Sequence, residues 1–322
     1  MMTDPIAASR GAYLYLDLLK RCLTRLLFPD RSVQYPVMVT APFSARDRIK
    51  GRDWPTEAET MVGLFRLDSL QACVVNALEA QTQGDLVEAG VWRGGASIMM
   101  RAILKAFGDG HRRVWLADSF QGLPHPDPLR YPSDCGDRHH QMSEYLGVTV
   151  EQVKSNFRRY ELLDDQVSFL PGWFRDSLPD APIQQIAVLR LDCDMYESTT
   201  QVLENLYRKV SDGGFVVVDD YGGLSNCRKA VDDFREAHRI AEPLFRIDWT
   251  GVFWQKGRFG ISPPPGTINP QALEENEPEG EFNEELYLTL YRDVAEAVAQ
   301  GIYASGKDHF DRYGKAEGRR SY

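Results

Sequence analysis

The sequence predicts an α/β fold on a doubly wound, mostly parallel sheet with helices on both faces, and three observations carry that expectation. From residue 85 onward, short apolar runs (DLVEAGV, RVWLADSF, VSFLPGW, IAVLRLDCD, GGFVVVDD) alternate with stretches of helical period (ASIMMRAILKAF, TVEQVKSNFRRY, TQVLENLYRKV). The runs are apolar on successive residues, as strands covered from both sides must be. Most also finish in glycines or carboxylates, on the edge where open sheets of this kind bind ligands.

The flanking segments follow in chain order. Residues 10–28 read as an amphipathic helix, with Leu14, Leu18, Cys22 and Leu26 at helical spacing and Tyr15, Leu19 and Leu23 widening the stripe, suited to core packing or a subunit contact. Residues 29–58 are rich in Pro, Asp and Arg without a lasting period and read as a long excursion of the lid type. TEAETMVGLFRLDSLQACVVNALEA then predicts a long helix, and RIDWTGVFWQK a last antiparallel pair. Residues 1–258 are thus expected to form one domain, and residues 259–282, with their prolines and acidic run, a linker. Residues 283–322 regain helical period, with Asn283 as N-cap and Gly301 as C-cap. This tail resembles a short helical unit found appended to glycan-handling enzymes, and no catalytic role is attached to it.

A formal net charge of −10 and the lack of a clustered basic surface argue against a nucleic-acid partner. Five scattered cysteines without CxxC spacing fit reduced thiols and a cytoplasmic location. Asp17, Lys20 and Arg21 interrupt the first helix as a secretory leader would not tolerate, and no apolar stretch is long enough to span a bilayer. Self-association through the first helix is expected.

LVEAGVWRGGAS runs from strand into helix with glycines at 90, 94 and 95, but it is not the close-spaced G-x-G-x-x-G that seats a pyrophosphate. It suits S-adenosylmethionine, which has no phosphates and presents a sulfonium, an amino-acid moiety and a ribose. Glu88 supplies a nearby carboxylate. Asp118, ending the next strand, is placed to meet a ribose or amino-acid group, and Gly172 and Trp173 to border an adenine.

GGFVVVDDYGG raises a different question, because it ends a buried strand in two adjacent like charges, Asp219 and Asp220. One Asp could simply cap the helix suggested by LSNCRKAVDDFREAH. LRLDCDMYEST, however, ends the preceding strand in Asp192 and Asp194, expected on one side of an extended chain. A doubly wound sheet brings Asp192 beside the pair. Three converging carboxylates require a proton or a divalent cation, and all-oxygen ligation favours magnesium.

These stretches, together with LYLDLLKR, DWPTEAETMVG, ADSFQGLP, CRKAVDDFR and GVFWQK, resemble in unbroken order from residue 10 to 257 the macrocin O-methyltransferase, or TylF-type, family. The resemblance implies a Rossmann-like class I methyltransferase with a mostly parallel seven-stranded sheet and an N-terminal helical lid. It implies metal-dependent transfer of a methyl group from S-adenosylmethionine to a sugar hydroxyl of a natural product or glycan, with Mg2+ on Asp192, Asp219 and Asp220. By the same resemblance Thr60, Glu88, Asp118, Ser119 and Trp173 fall at or beside cofactor contacts, and Gly90, Trp92, Gly94, Phe120 and Gly172 stand in the motifs that carry them. Asp192 is the candidate general base, with His139 and His140 as rivals. The lid region 29–53 and residues 125–148 match the family least, so the acceptor is less legible than the reaction. A catechol-like phenol is the alternative acceptor. An NAD-dependent oxidoreductase and a non-catalytic scaffold are the rival classes, disfavoured by the missing dinucleotide fingerprint and by the intact acidic strand ends.

Overall fold

The computed structural model describes residues 5–34, 38–260 and 301–314, with residues 284, 288, 294 and 298 in addition. After α1 (Pro5–Leu23) come β1 (Ser32–Gln34), β2 (Val39–Ala41), α2 (Ala45–Lys50) and β3 (Trp54–Pro55), the strands forming a small antiparallel sheet in the order β2-β1-β3. The excursion at 29–58 is therefore structured, but its strands are too short to display a period. Buried Arg48 fastens it, donating from Nε to Asp53 at 2.8 and 2.9 Å and from Nη1 to Asp30 Oδ1 at 2.6 Å and the Thr24 carbonyl at 2.8 Å. The other Asp30 oxygen accepts from the backbone N–H groups of Glu57 and Ala58. Those bonds hold residues 57 and 58 outside the helix predicted there. The helix, α3 (Gly63–Glu79), starts only at Gly63, whose φ of +74° suits glycine.

The main body comprises β4 (Asp85–Ala89), α4 (Gly95–Ala106), β5 (Val114–Asp118), α5 (Ser143–Leu146), α6 (Val150–Arg159), β6 (Val167–Pro171), α7 (Phe174–Ser177), β7 (Ile186–Leu191), α8 (Tyr196–Leu206), β8 (Val210–Val218), α9 (Ser225–Ala237), β9 (Phe245–Arg246) and β10 (Val252–Gln255). They build a seven-stranded sheet in the order β6-β5-β4-β7-β8-β10-β9. Strands β4 to β8 run parallel, and β10 is antiparallel to both neighbours, giving the expected terminal pair. The strand order reverses between β4 and its neighbours β5 and β7, the place where such sheets open a crevice.

Alternation along the strands sorts the core into two layers. Leu86, Leu116, Val188 and Val217 face α1, α3, α4 and α6, whereas Val87, Ala117, Leu189 and Val218 face α8 and α9. Glu88, Arg190 and Asp219 follow Leu86, Val188 and Val217 at a spacing of two, so they belong to the layer of α3 and α4.

Two further expectations are corrected. Helix α1 buries Leu16, Leu19 and Leu23, while Leu14 and Leu18 are 65% and 54% exposed, because this helix carries two apolar stripes and packing on α3 and α4 selects one. No side chain caps α9: the Asp220 carbonyl accepts from Gly223 and Leu224 N–H, and its carboxylate turns toward Asp194. In the tail, Gly301 has φ +73° and donates to the Val298 carbonyl, as a C-cap does, and Ser305 caps a short helix at Gly306–His309. Residues 261–282 of the expected linker and Asn283 lie outside the described residues. Among the described residues no helix is long and apolar enough to cross a membrane.

Removing one partner of a buried ion cluster strands the others, so Arg48→Met is expected to destabilise the protein by about 3–5 kcal/mol. Breaking the exposed Arg21–Asp17 pair by Arg21→Ala should cost less than about 1 kcal/mol. Urea unfolding of both variants checks the contrast.

Candidate active site

A cavity of about 330 Å³ opens at the carboxyl ends of β4, β5, β7 and β8, with the segment between Gly51 and Val62 forming one wall. Its floor is the turn after β4. Gly90 has φ +86°, and a Cβ there would lie 1.7 Å from the Asp192 carbonyl oxygen, so only glycine lets the turn lie against the end of β7. Gly94, at φ +87°, starts α4. Asp118 braces the turn, accepting from Val91 N–H and Phe120 N–H, each at 2.6 Å. Burial raises its carboxyl pKa, and those backbone donors oppose the rise.

Of the predicted cofactor residues, Thr60, Glu88, Gly90, Trp92, Asp118, Ser119 and Trp173 line this cavity. Gly94, Phe120 and Gly172 are not part of its lining. A Cβ on Gly94 would meet Val153 on α6, the Phe120 ring packs near Phe169 in the core, and Gly172 N–H donates to the Asp118 carbonyl. These three support the wall instead of forming it. Thr60 packs against Gly95 at the start of α4, whose N–H donates to the Glu59 carbonyl. Glu88 is less free than the sequence suggests: Ser97 Oγ donates to one carboxyl oxygen and Arg190 Nη1 to the other at 2.6 Å. Burial nevertheless pushes its pKa up to about 7.

An aromatic stack ties the wall formed by residues 51–62 to the turn. The rings of Trp54 and Tyr145 lie 5.1 Å apart and nearly parallel, and Trp92 leans on Tyr145 at 5.5 Å while donating from Nε1 to its carbonyl. The Arg93 guanidinium covers Trp92 at 4.1 Å and donates to the carbonyls of Pro55 and Ala58; Tyr145 Oη also donates to Pro55.

On the opposite wall the acidic strand ends converge. Asp192, Asp219 and Asp220 each offer an oxygen, all within 4.8 Å of one another. Burial raises the Asp192 carboxyl to about 7, with Asp219 adding and Arg190 opposing. Asp220 rises well above the usual carboxylate range for the same reason, with Asp194, Asp192 and Asp219 adding to it. The sequence did not flag the two guanidiniums that answer this charge. Arg190 donates to Asp192 at 3.0 Å and Asp219 at 2.5 Å, and Arg66 on α3 donates to Asp219, to Asp248 at 3.1 Å and to the Gly51 carbonyl at 3.0 Å. An arginine inside IAVLRL is a readable signal; Arg66 on an ordinary helix is not. Asp194 reaches the cavity by an unexpected route: β7 stops at Leu191 and Asp194 has φ +58°, so the extended-strand argument does not apply to it. The donors fit a divalent ion, since they are all oxygen, close together and still short of positive charge.

His139 also lines the cavity, with Nδ1 2.9 Å from Asp137 Oδ2, and that bond raises its pKa above the ordinary 6.5. His140 is not in the lining, and its ring lies against His125 at 4.3 Å.

Residues 12–256 match the family described as Macrocin-O-methyltransferase (TylF). The chain belongs to that family. It is an S-adenosylmethionine-dependent O-methyltransferase with the class I α/β fold. Among curated relatives of this TylF chain, 8-demethyl-8-(2,3-dimethoxy-alpha-L-rhamnosyl)-tetracenomycin-C 4'-O-methyltransferase of Streptomyces olivaceus is 54% identical over 75% of the chain and 92% of its own length. Demethyldecarbamoylnovobiocin O-methyltransferase of Streptomyces niveus is 48% identical over 76% and 94%. Mycinamicin III 3''-O-methyltransferase of Micromonospora griseorubida is 45% identical over 78% and 99%. The solved structure of the O-methyltransferase NovP superposes with a TM-score of 0.73 at 47% identity, covering 77% of this chain and 100% of that one. Residues beyond 256 lie outside the family match.

Gly90→Ala is expected to part β4 from β7 and weaken S-adenosylhomocysteine binding by at least about tenfold, readable by calorimetry. The His139 bond carries a pH signature. A pKa raised by folding contributes stability that is full below the unfolded value of 6.5 and is lost as pH rises through the folded value. Thermal unfolding should therefore show His139→Asn costing more near about pH 5.5 than near about pH 9, and equal costs would contradict the ion pair.

Proposed function

We propose that this enzyme methylates a hydroxyl on the sugar of a glycosylated natural product, with Mg2+ held by Asp192, Asp219 and Asp220. The observation that carries the reading is the opening of the crowded carboxylates and the glycine turn into one cavity, so that donor and acceptor meet between them. The S. olivaceus relative, whose name specifies a rhamnosyl-tetracenomycin, supports a sugar acceptor. The cofactor end is read as Gly90, Trp92, Asp118, Ser119 and Trp173, with Thr60 and Glu88 behind the turn. The acceptor end is read as the part of the lining that His139 and Trp249 contribute. Self-association is assigned to the exposed Leu14 and Leu18 face of α1.

A magnesium ion in this place supplies positive charge that acidifies a nearby hydroxyl. The acceptor oxygen attacks the sulfonium methyl in line, the carbon–sulfur bond breaks with its electron pair going to sulfur, and the thioether S-adenosylhomocysteine leaves. Asp192 takes the hydroxyl proton: its backbone lies against the Gly90 turn while its carboxylate belongs to the acidic cluster, so it stands between the cofactor end and the place where the acceptor hydroxyl would be acidified. His139, hydrogen-bonded to Asp137 and close to Asp194, orients the acceptor beside the acidic cluster.

The test uses a labelled methyl donor and a panel of rhamnosylated and catechol acceptors. Activity on glycosides should vanish with chelator and return with Mg2+. Asp192→Asn should lose at least about a thousandfold in turnover while binding S-adenosylhomocysteine within a few-fold of wild type, and His139→Ala should lose less than about a hundredfold. Full activity after metal stripping would sink the metal assignment, and transfer confined to catechols would sink the sugar.

A further inference from the structure

We infer that Arg190 is a positioning residue that locks the cofactor side of the site to the metal side. It stands near the end of β7 in a strand otherwise made of aliphatic residues, and it is 2% exposed. Strand register places Arg190 opposite Glu88 on β4 and Val217 on β8. Asp192 follows two residues on, just past the end of β7, and Asp219 two beyond Val217, just past the end of β8. The guanidinium uses all of these neighbours. Its Nη1 is shared between Glu88 Oε1 at 2.6 Å and Asp192 Oδ2 at 3.0 Å, and its Nη2 donates to Asp219 Oδ1 at 2.5 Å.

Stability alone does not account for this arrangement. Taking a guanidinium out of water costs several kcal/mol, and well-packed apolar side chains of similar volume are often as stable as a buried ion pair. What an apolar residue cannot do is fix the orientation of three carboxylates from three strands with one rigid planar group. Glu88 lies under the turn after β4, while Asp192 and Asp219 supply two of the three clustered oxygens. A rotation of Arg190 that suits one carboxylate must disturb the others. The two halves are therefore held in register by a single side chain. Lysine keeps the charge but offers no planar fork, so it can satisfy one partner at a time.

This role rests on the reading of Asp192, Asp219 and Asp220 as metal ligands, and the test separates the two. Full-length wild type, Arg190→Lys and Arg101→Lys are compared by Mn2+ titration with electron paramagnetic resonance, by calorimetry with S-adenosylhomocysteine and by thermal unfolding. Arg101 is a fair comparator because it is also buried and forks onto Asp164 outside the cavity lining. Arg190→Lys should bind Mn2+ at least about tenfold more weakly and also lose affinity for S-adenosylhomocysteine, whereas Arg101→Lys should move only the melting temperature. Unchanged Mn2+ and S-adenosylhomocysteine affinities in Arg190→Lys, or an equal loss in Arg101→Lys, would overturn the assignment. A wild type that binds no Mn2+ would instead overturn the metal site, and this role with it. Should Arg190→Lys fail to fold, Glu88→Gln carries the test. Glu88 is outside the proposed ligand set, so a change of about fivefold in Mn2+ affinity reports coupling through Arg190, and no change refutes it.

Discussion

Excess negative charge at the ends of β7 and β8 is the constraint around which the rest of this site is arranged. Glu88, Asp219 and Asp248 are buried, Asp192, Asp194 and Asp220 lie beside them half-buried at the cavity, and the guanidiniums of Arg66 and Arg190 stand against this charge. Carboxylates in such surroundings either take up protons or acquire a cation. Two guanidiniums do not balance six carboxylates, and burial adds to the cost by raising the pKa values of Asp192 and Asp220. Strand alternation explains why help comes from the α3 and α4 side, since Glu88 and Asp219 share a sheet face with Arg190 and meet Ser97 and Arg66 there.

The two ends of the cavity obey different physics. The glycine turn is an exercise in close approach, with backbone set against backbone at the topological switch and Asp118 spending its oxygens on main-chain N–H groups. The acidic wall is governed by charge. They meet at one residue, because the Asp192 carbonyl touches Gly90 while its carboxylate joins the cluster. Methyl transfer needs donor and acceptor within bonding distance of each other, and the adjacency of β4 and β7 sets these two surfaces side by side in one cavity.

Much of this was legible in the sequence because it rests on period and on strand ends. Continuous apolar runs announced the parallel strands, and Gly90, Asp118, Asp192, Asp219 and Asp220 marked their binding edge. What escaped depends on tertiary choice. Leu14 and Leu18 share one stripe of α1 and Leu16, Leu19 and Leu23 another, and only the packing of α3 and α4 decides between them. The lid strands are too short for periodicity, and Arg48 organises them through partners distant in sequence. Asp194 was placed by an extended-strand rule just where the backbone turns left-handed. Arg66 reaches Asp219 across 153 positions of chain, a distance over which spacing carries no information.

The stack of Trp54, Tyr145 and Trp92 bears on how such an enzyme would turn over. Its rings come from the wall that covers the cavity, from α5 and from the floor, and both Arg93 and Tyr145 grip the same Pro55 carbonyl. Swinging the cover aside at Trp54 would unstack its ring from Tyr145 and release both grips on Pro55 in the same movement. These contacts share one short stretch of backbone, so a displacement of Pro55 loses them together and not one by one.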